Sequence, residues 1–308
     1  MMVPSPAPSY TVVVGPGALG CFLTAELTRA GREVTLLDHQ PARAQRLADS
    51  GIAVTDERGE EVVAVAVTAD SGTLAGADLV LVCVKAHATR SLADTLRSRC
   101  RDGVVVLTVQ NGLGNVECLR EALPRASVLA GVTYFGSRLL SEGRVVVTPD
   151  RRMLLGAKAD GAGALVAAEF GSTAVFLGSV PDIDEALWRK AIVNAVINPL
   201  TAIYGVSNGE LPTLSDAMDT AHAAIREATA VAATRGHAFV EQELLEAVVQ
   251  TCHATATNVS SMRQDIEAGR QTEIDAINGA IVRAGEQAGV PCPVNAGLVA
   301  QVVALSKA

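Results

Sequence analysis

The sequence predicts an α/β domain with a doubly wound parallel sheet, followed by an all-α domain. Two observations support this fold class. Between residues 10 and 180, strand-like apolar runs alternate with helix-like segments, as in a parallel sheet joined by crossover helices. From Ile183 onward, the periodic segments have helical spacing. We therefore predict a flexible tail at 1–9, a sheet domain at 10–180 and a helical domain at 181–308.

The composition limits which classes of function are open. The 308 residues are 49% hydrophobic, enough to fill two cores, and carry a formal net charge of −8. That charge argues against a nucleic-acid or anionic-membrane partner, because both need a basic surface. The six cysteines have no paired spacing, which predicts reduced thiols and a cytoplasmic protein. We expect no metal site, and we interpret the apolar stretch 191–206, interrupted by two asparagines and a proline, as a buried helix.

The first predicted strand leads into a glycine-rich turn. Strand-forming residues at Tyr10–Val14 precede Gly15-x-Gly17-x-x-Gly20, and a helix is predicted at 18–30. This is the Rossmann-type dinucleotide fingerprint in its proper context. The first glycine allows the tight turn, the second lets a pyrophosphate approach the backbone, and the third lets helix and strand pack closely. The predicted cofactor-binding residues here are Gly15, Gly17, Ala18, Leu19 and Gly20.

An acidic residue stands at the end of the second predicted strand. Asp38 follows Glu33–Leu37 at the distance from the glycines that suits a hydrogen bond to the adenosine ribose. An acid there favours NADH over NADPH, although His39 and Arg43 are close enough in sequence to compensate a 2′-phosphate. The alternative interpretation of Asp38 is a helix N-cap before Pro41.

Two further apolar runs, at 78–84 and 104–108, have the character of strands buried on both faces. Lys85 and Asn111 follow them, at the carboxyl edge where doubly wound sheets bind ligands. Both are candidate ligand-facing residues. The alternatives are a solvated lysine and an ordinary Asn-Gly turn.

The remaining elements follow from the same two periodicities. Strands are predicted at 52–55, 62–67, 128–133 and 173–177, with an antiparallel extension at 144–148 and 153–156. Further helices are predicted at 41–50, 162–170, 214–235, 240–254, 260–268, 273–288 and 295–307.

The helical half begins with a polar stripe on an apolar helix. Lys190, Asn194 and Asn198 are spaced four apart, so they share one face. Burying such groups without partners costs roughly 1–3 kcal/mol each. The stripe therefore either ties helices together or lines a polar pocket, and the lysine favours the pocket because lysine is rarely buried unpaired.

Two polar clusters lie nearer the C-terminus. In the first, Ser260 or Ser261 can cap a helix. In the second, Thr272 can act as an N-cap with Glu273 and Asp275 in the first helical turn, where the helix dipole favours acids. On that interpretation neither cluster needs a further role.

Several short motifs, in this order and over almost the whole chain, resemble the ketopantoate reductase (2-dehydropantoate 2-reductase) family. The resemblance is carried by Gly15-Pro-Gly-Ala-Leu-Gly20, Val84-Lys85-Ala86, Gln110-Asn111-Gly112-Leu-Gly114, Trp188-Arg-Lys190-x-x-x-Asn194-x-x-x-Asn198-Pro199-Leu-Thr201-Ala202, Asn208-Gly209-Glu210-Leu211, Ser260-Ser261-Met262-x-Gln264-Asp265 and Thr272-Glu273-Ile274-Asp275. It implies reduction of a 2-oxo acid by NADPH or NADH, with ketopantoate giving pantoate, a step of pantothenate biosynthesis, in a monomer or homodimer.

The resemblance also implies roles for individual residues. Lys190 matches the catalytic lysine, acting as general acid, and Glu273 matches its acidic partner. The matched substrate-binding residues are Asn111, Asn194, Asn198 and Asn208, the last three holding the substrate hydroxyl, and Ser261, which meets the carboxylate. Lys85 and Asn111 match cofactor-side positions.

Two departures from the family pattern leave alternatives open. Asp38-His39 stands where many relatives carry a basic residue for a 2′-phosphate, and Tyr134-Phe135 stands where many have small residues. A reductase of another 2-oxo acid is therefore a second hypothesis. A β-hydroxyacid dehydrogenase lacks support, because its glycine-rich lead-in to the lysine is absent. A non-catalytic dinucleotide sensor would have no need for Lys190 together with Glu273.

Overall fold

The computed structural model of the chain describes residues 9–156 and 161–307, which form two compact units. The first unit contains 9–110, 115–156 and 161–183, and the second contains 111–114 and 184–307. The predicted tail lies outside the described residues except for Ser9, whose hydroxyl donates a hydrogen bond to Glu169.

The first unit contains strands and helices in alternation. Its described strands are β1 (Tyr10–Val14), β2 (Glu33–Leu37), β3 (Ile52–Asp56), β4 (Gly59–Val63), β5 (Ala66–Thr68), β6 (Leu79–Val82), β7 (Val105–Thr108), β8 (Ser127–Thr133), β9 (Ser137–Ser141), β10 (Arg144–Val147), β11 (Arg152–Gly156) and β12 (Phe176–Val180). Its described α-helices are α1 (Ala18–Arg29), α2 (Pro41–Ser50), α3 (Thr89–Arg99), α4 (Asn115–Ala122) and α5 (Gly161–Phe170).

The large sheet has eight strands in the order β12-β11-β8-β7-β6-β1-β2-β5. Neighbouring strands are parallel except β8 and β11, which are antiparallel. The chain starts at β1, winds outward through β2 and β5, and then reverses through β6, β7 and β8. This confirms the predicted doubly wound α/β fold. It also places the switch point between β1 and β6, where such sheets bind ligands at the carboxyl edge.

A second sheet of four strands, in the order β4-β3-β10-β9, lies beside α1, which contacts both sheets. One prediction was wrong here and another was incomplete. The run 62–67 was predicted as one strand, but it divides into β4 and β5, which belong to different sheets. The antiparallel extension predicted at 144–148 and 153–156 is confirmed in part: β10 is antiparallel to β9, which was not predicted, and β11 is antiparallel to β8, but β10 is also parallel to β3. Propensity cannot show where a chain changes sheets.

The last strand begins later than the predicted 173–177. Residues 171–175 form a turn in which the backbone N–H and the hydroxyl of Thr173 both donate to the carbonyl of Phe170. The chain becomes extended only at Phe176, where β12 starts. The apolar residues of this turn resemble a strand in the sequence, because a sequence does not show which hydrogen bonds form.

The second unit is helical, as predicted. It contains α6 (Ile183–Tyr204), α7 (Ser215–Thr234), α8 (Glu241–Ala254), α9 (Ser261–Glu267), α10 (Asn278–Ala288) and α11 (Pro293–Leu305), together with a 3-10 helix at Asn208–Thr213. The chain passes to this unit between Ile183 and Asp184, within the first turn of α6, slightly beyond the junction predicted at 180. Across the described part of the chain, no helix has both the length and the apolarity that crossing a membrane requires.

The predicted helix at 273–288 begins five residues late. Residues 273–277 form a turn in which the N–H groups of Ala276 and Ile277 donate to the carbonyl of Glu273. α10 then starts at Asn278. Thr272 is therefore not the N-cap of a helix that carries Glu273 in its first turn, and the capping explanation of Glu273 was wrong.

Each unit has its own core of aliphatic side chains and alanine, since only 3% of the residues are aromatic. Phe22 and Phe170 are the largest fully buried side chains of the first core. Trp188 lies at the edge of the second core, which is otherwise rich in alanine, isoleucine and valine. The six cysteines are free thiols, and Cys21, Cys252 and Cys292 are buried.

Candidate active site

The glycine turn connects β1 to α1 at the switch point of the large sheet. Gly15 has a φ of +106°, and a Cβ there would lie 2.9 Å from the backbone nitrogen of Val84. A Cβ on Gly20 would overlap the carbonyl oxygen of Gly15. Gly17 differs, because a Cβ there would meet nothing within 4 Å. Two glycines thus allow the turn to close, while the third leaves open space in front of the N-terminus of α1, where an anionic group is favoured. Ala18 and Leu19 are half-buried in the first turn of α1.

A buried hydrogen-bond network anchors the carboxyl edges of β6 and β7. The amide nitrogen of Gln110 donates to the carbonyl of Val84 at 2.9 Å and to the hydroxyl of Thr89 at 2.8 Å. Its amide oxygen accepts from the hydroxyl of Thr108 at 2.9 Å. The carbonyl of Val84 immediately precedes Lys85, which is half-buried, so Gln110 fixes the backbone that presents Lys85. This supporting role was not predicted, and its signal in the sequence was a glutamine two residues after a buried strand.

Asp38, the predicted ribose-binding residue, accepts hydrogen bonds from its own chain in the structure. Asp38 is fully buried, and its carboxylate accepts from Arg43 Nε at 2.5 Å, from Arg43 Nη2 at 2.6 Å and from the N–H of Gln40 at 3.1 Å. Burial alone would raise the pKa of Asp38, but these hydrogen bonds outweigh it and hold the pKa below its usual range. The N-cap of α2 is Gln40, so the alternative interpretation of Asp38 as a helix N-cap was wrong. The partly exposed guanidinium of Arg43 is the group that reaches the surface.

The polar stripe on α6 lies in the second unit. Asn198 is buried, whereas Lys190 and Asn194 are half-buried. Burial lowers the pKa of Lys190 to about 8, and the negative charge of Glu273 opposes that shift. Glu273 is itself buried, in the turn before α10. The structure thus brings together the two residues that the sequence analysis assigned to catalysis, and it gives the lysine a pKa near neutrality, which suits proton transfer.

α6 continues through Pro199, which has no N–H to donate to the carbonyl of Ala195 four residues earlier. The side-chain nitrogen of Asn278 donates to that carbonyl instead, at 2.8 Å. The same nitrogen donates to Asn295 Oδ1 at 3.0 Å, and Asn278 is fully buried. Asn278 therefore replaces the hydrogen bond that the proline removes. The carbonyl that it bonds belongs to Ala195, the residue after Asn194 of the polar stripe. The sequence analysis missed this residue, and its signal was a proline inside an apolar helix.

Other candidate residues lie on short segments around α6. Ser260, and not Ser261, is the N-cap of α9, accepting from the N–H of Arg263 at 3.3 Å. Ser260 also accepts from the hydroxyl of Thr201 on α6 at 2.8 Å. Ser261 is exposed and has no capping role, so it remains available for a ligand. Asn208 is buried at the start of the 3-10 helix.

The loop that carries Asn111 belongs to the second unit, although the strand before it belongs to the first. The N–H of Leu113 donates to the carbonyl of Ala276 at 2.9 Å. Gly112 has a φ of +87°, and a Cβ there would overlap the same carbonyl. Ala276 lies in the turn that begins at Glu273. Asn111 is half-buried and lies two residues before Leu113, whose N–H bonds to the turn that begins at Glu273.

Tyr134 and Phe135, the second departure from the family pattern, have different environments in the first unit. Phe135 is buried and meets the ring of Phe22 edge-on, with 5.4 Å between ring centroids. Tyr134 is 42% exposed, with the guanidinium of Arg152 at 5.6 Å from its ring centroid. Phe135 is thus a core residue, so its departure from the family pattern is explained by packing.

Two other features of the described residues bear on the site. A cavity of about 310 Å³ lies in the first unit at the C-terminal end of α1, and its lining contains none of the predicted site residues. Within 9–156 and 161–307, no group of three or more histidine, cysteine or acidic side chains is arranged to hold a metal ion.

Comparisons with known proteins identify the family of the chain. Residues 11–160 match the family model described as ketopantoate reductase PanE/ApbA, and residues 182–306 match the model of its C-terminal part. The 2-dehydropantoate 2-reductase of Halobacterium salinarum is 35% identical over 287 residues, which cover 92% of this chain and 94% of that protein.

Solved structures give the same result. A PanE/ApbA family ketopantoate reductase from Ralstonia eutropha JMP134 matches with a TM-score of 0.88 and 31% identity, over 96% of this chain and 98% of that one. A D-mandelate dehydrogenase solved with NADH and anilino(oxo)acetate matches with a TM-score of 0.89 and 25% identity, over 96% and 98%. Because both family models and a relative above 30% identity span nearly the whole sequence, the chain belongs to the ketopantoate reductase family of oxidoreductases.

Proposed function

We propose that this chain reduces 2-dehydropantoate (ketopantoate) to pantoate with a reduced nicotinamide cofactor, using Lys190 as the general acid. The observation that carries the proposal is the pairing of Lys190 with Glu273, which leaves the lysine pKa at about 8. The relatives named 2-dehydropantoate 2-reductase, at up to 35% identity, support this substrate.

The first unit supplies the cofactor site in this proposal. The open space at Gly17 and the N-terminus of α1 fit a pyrophosphate, and Gly15, Ala18, Leu19 and Gly20 complete the turn. Lys85 lies at the adjacent strand end, on backbone fixed by Gln110. When bound, the nicotinamide supplies a hydride for the carbonyl carbon of the substrate.

Lys190 acts on the carbonyl oxygen. Its ammonium group hydrogen-bonds to that oxygen, stabilises the negative charge that develops there, and donates the proton of the new hydroxyl group. Such a role is typically worth roughly 10²- to 10⁴-fold in rate. A pKa of about 8 keeps Lys190 mostly protonated at neutral pH while making the proton easier to transfer than from an ordinary lysine.

Glu273 keeps the lysine charged, because a nearby carboxylate favours the ammonium form in a site that burial would otherwise discharge. The substrate itself is held by hydrogen-bonding side chains of the second unit. We assign this binding role to Asn111, Asn194, Asn198, Asn208 and Ser261.

We further propose that the chain accepts NADPH as well as NADH. The sequence analysis favoured NADH because a free carboxylate at Asp38 would repel a 2′-phosphate. In the structure Arg43 donates to both carboxylate oxygens and balances their charge, which supports acceptance of a 2′-phosphate. The neutral pair of Asp38 and Arg43 should discriminate only weakly between NADH and NADPH, by a factor of about five or less in kcat/KM.

A reductase of another 2-oxo acid is the second candidate. The match to D-mandelate dehydrogenase, at a TM-score of 0.89, supports it, because that enzyme was solved with anilino(oxo)acetate in a similar fold. The matches to 2-dehydropantoate 2-reductases are stronger in sequence, at 33–35% identity, and favour ketopantoate.

One assay tests these proposals. The purified protein is mixed with ketopantoate, phenylglyoxylate or pyruvate and with each reduced cofactor, and loss of absorbance at the nicotinamide band is followed. We expect the highest kcat/KM with ketopantoate and turnover with both cofactors. No turnover of any 2-oxo acid would contradict the reductase proposal, and preference for phenylglyoxylate would favour the second candidate. The monomeric or homodimeric state and the cytoplasmic location stay predictions.

A further inference from the structure

We infer that Thr255 is a positioning residue, which fixes the amide of Asn208 so that the site selects a 2-oxo acid bearing a hydroxyl group. This inference rests on the proposed function and adds a determinant of substrate choice. Backbone hydrogen bonds within the second unit fix the beginning of the 3-10 helix.

The backbone on both sides of Asn208 is fixed to the segment that follows α8. The N–H of Asn208 donates to the carbonyl of Asn258 at 3.0 Å, and the N–H of Gly209 donates to the carbonyl of Ala256 at 3.0 Å. A Cβ on Gly209 would lie 2.6 Å from the Cβ of Ala256, so the two segments are in close contact. The Asn208 side chain therefore starts from a constrained main chain.

Thr255 determines which atom of the Asn208 amide is left for another partner. Its hydroxyl donates to the carbonyl of Thr251 at 2.6 Å, and a hydroxyl has a single proton. Toward Asn208 the Thr255 oxygen can therefore only accept. It accepts from Asn208 Nδ2 at 2.9 Å. The amide nitrogen is thus committed to Thr255, and Oδ1 is the atom presented elsewhere.

The Oδ1 atom of Asn208 is a hydrogen-bond acceptor that lacks a donor among the described residues. Asn208 is 93% buried, since its exposure is 7%, and among the described residues Oδ1 is one of the few buried side-chain atoms without a hydrogen-bond partner. A buried acceptor without a donor is unfavourable. A carboxylate or a keto oxygen has no proton to give, so the substrate group that matches Oδ1 is a hydroxyl. Ketopantoate carries one at the end opposite its carboxylate.

Another buried asparagine shows why exposure matters. Asn278 Oδ1 also has no partner among the described residues, but Asn278 is fully buried. Its amide nitrogen bonds to α6 and to Asn295 in the interior of the helical unit. Asn208 retains some exposure, and the segment that holds it continues to Ser260, which bonds to Thr201 on the helix of Lys190.

The test compares ketopantoate with 3,3-dimethyl-2-oxobutanoate, which lacks only the hydroxyl group. We expect the wild-type protein to favour ketopantoate by about tenfold or more in kcat/KM. Thr255→Val removes the acceptor and frees the amide to rotate. We expect it to raise KM for ketopantoate roughly 5- to 10-fold while leaving kcat and the analogue nearly unchanged, so that the preference is largely lost.

Matched variants separate positioning from general damage. Thr255→Ser keeps the hydroxyl and should retain the preference. Thr251→Val removes a hydroxyl that makes the same kind of bond one turn earlier, to the carbonyl of Ala247, and it should also leave the preference intact. Thermal unfolding of each variant shows whether it is folded, and Thr255→Ala provides a second substitution if the valine variant is not.

The outcomes distinguish this inference from the proposed function. A wild-type protein that reduces neither acid overturns the proposed function and this inference with it. A wild-type protein that reduces both, with a preference that Thr255→Val does not change, overturns the inference alone. Equal losses on both substrates would also overturn it, because they would show only structural damage.

Discussion

The carboxyl edge of the large sheet and the polar face of α6 are built in different ways. At the glycine turn of the sheet edge, the candidate binding surface is main chain, and its shape depends on the missing side chains of Gly15, Gly17 and Gly20. On α6, the candidate surface is side chain, and its chemistry depends on burial and on the charge of Glu273. Substitutions at the sheet edge should therefore act through shape, and substitutions on α6 through charge and hydrogen bonding.

The largest effect is expected on α6. Lys190→Met keeps the length and apolar stem of the side chain but removes the ammonium group. We expect kcat/KM for ketopantoate to fall roughly 10²- to 10⁴-fold, with cofactor affinity within twofold of the wild type. Steady-state kinetics and cofactor fluorescence titration measure the two quantities. Lys307→Met, at an exposed position, is the matched control. A Lys190→Met protein with full activity would contradict the mechanism.

Next in size is the contrast between two glycines of the turn. Gly20→Ala forces a Cβ into the carbonyl of Gly15, so we expect a loss of about 3 kcal/mol in the free energy of unfolding. Gly17→Ala adds a Cβ to open space, so stability should be nearly unchanged while cofactor affinity falls. Urea denaturation and cofactor titration check both variants. Equal stability losses would contradict the assignment of Gly17 to the cofactor.

A double-mutant cycle tests the repair of α6 at its proline. Asn278→Ala leaves the carbonyl of Ala195 without its donor, which should cost about 1–3 kcal/mol. Pro199→Ala restores a backbone N–H that can bond to the same carbonyl. Asn278→Ala should then cost at least about 0.5 kcal/mol less in the Pro199→Ala background, as measured by urea denaturation. Strictly additive changes would show that Asn278 has no such role.

A pH profile tests the charge coupling. Lys190 must be protonated to act as an acid, so kcat/KM for reduction should fall as the pH rises through about 8. Glu273→Gln removes the negative charge that raises the pKa of Lys190, so the alkaline limb should move to lower pH. Glu286→Gln, on the exposed face of α10, is a control that should leave the limb in place. An unchanged limb in the Glu273 variant would argue against the pairing.

The smallest effect concerns the cofactor. Arg43→Ala leaves the buried Asp38 carboxylate without its cation, so NADPH should lose about fivefold in kcat/KM relative to NADH. Arg46→Ala removes an arginine from the same helix that pairs with Glu142, and the ratio should stay constant. A relative gain for NADPH in the Arg43 variant would mean that the pair does not face the ribose.

The parts of the molecule that the sequence predicted have local signals. The turn at Gly15 to Gly20 is specified by six consecutive residues after a strand, and Lys85 and Asn111 follow continuous apolar runs. The stripe of Lys190 and Asn194 follows from helical spacing alone. In each of these cases the residues that determine the element are neighbours in the chain.

The parts that the sequence missed depend either on side-chain geometry or on residues far apart in the chain. Asp38 is covered by Arg43 through side-chain geometry that spacing does not fix. Asn278 is more than eighty positions along the chain from the α6 carbonyl to which it bonds, and β10 pairs with β3 over a similar separation in sequence. Patterns of hydrophobicity carry no information about such partners, so these contacts emerge only when the fold is known.

The loop at 111–114 has a practical consequence for dissecting the molecule. Because these four residues pack with the helical unit, a fragment expressed from Asp184 onward would lack a piece of its own structure, including the bond from Leu113 to Ala276. Supplying the loop as a separate peptide would test whether that fragment can be complemented in trans.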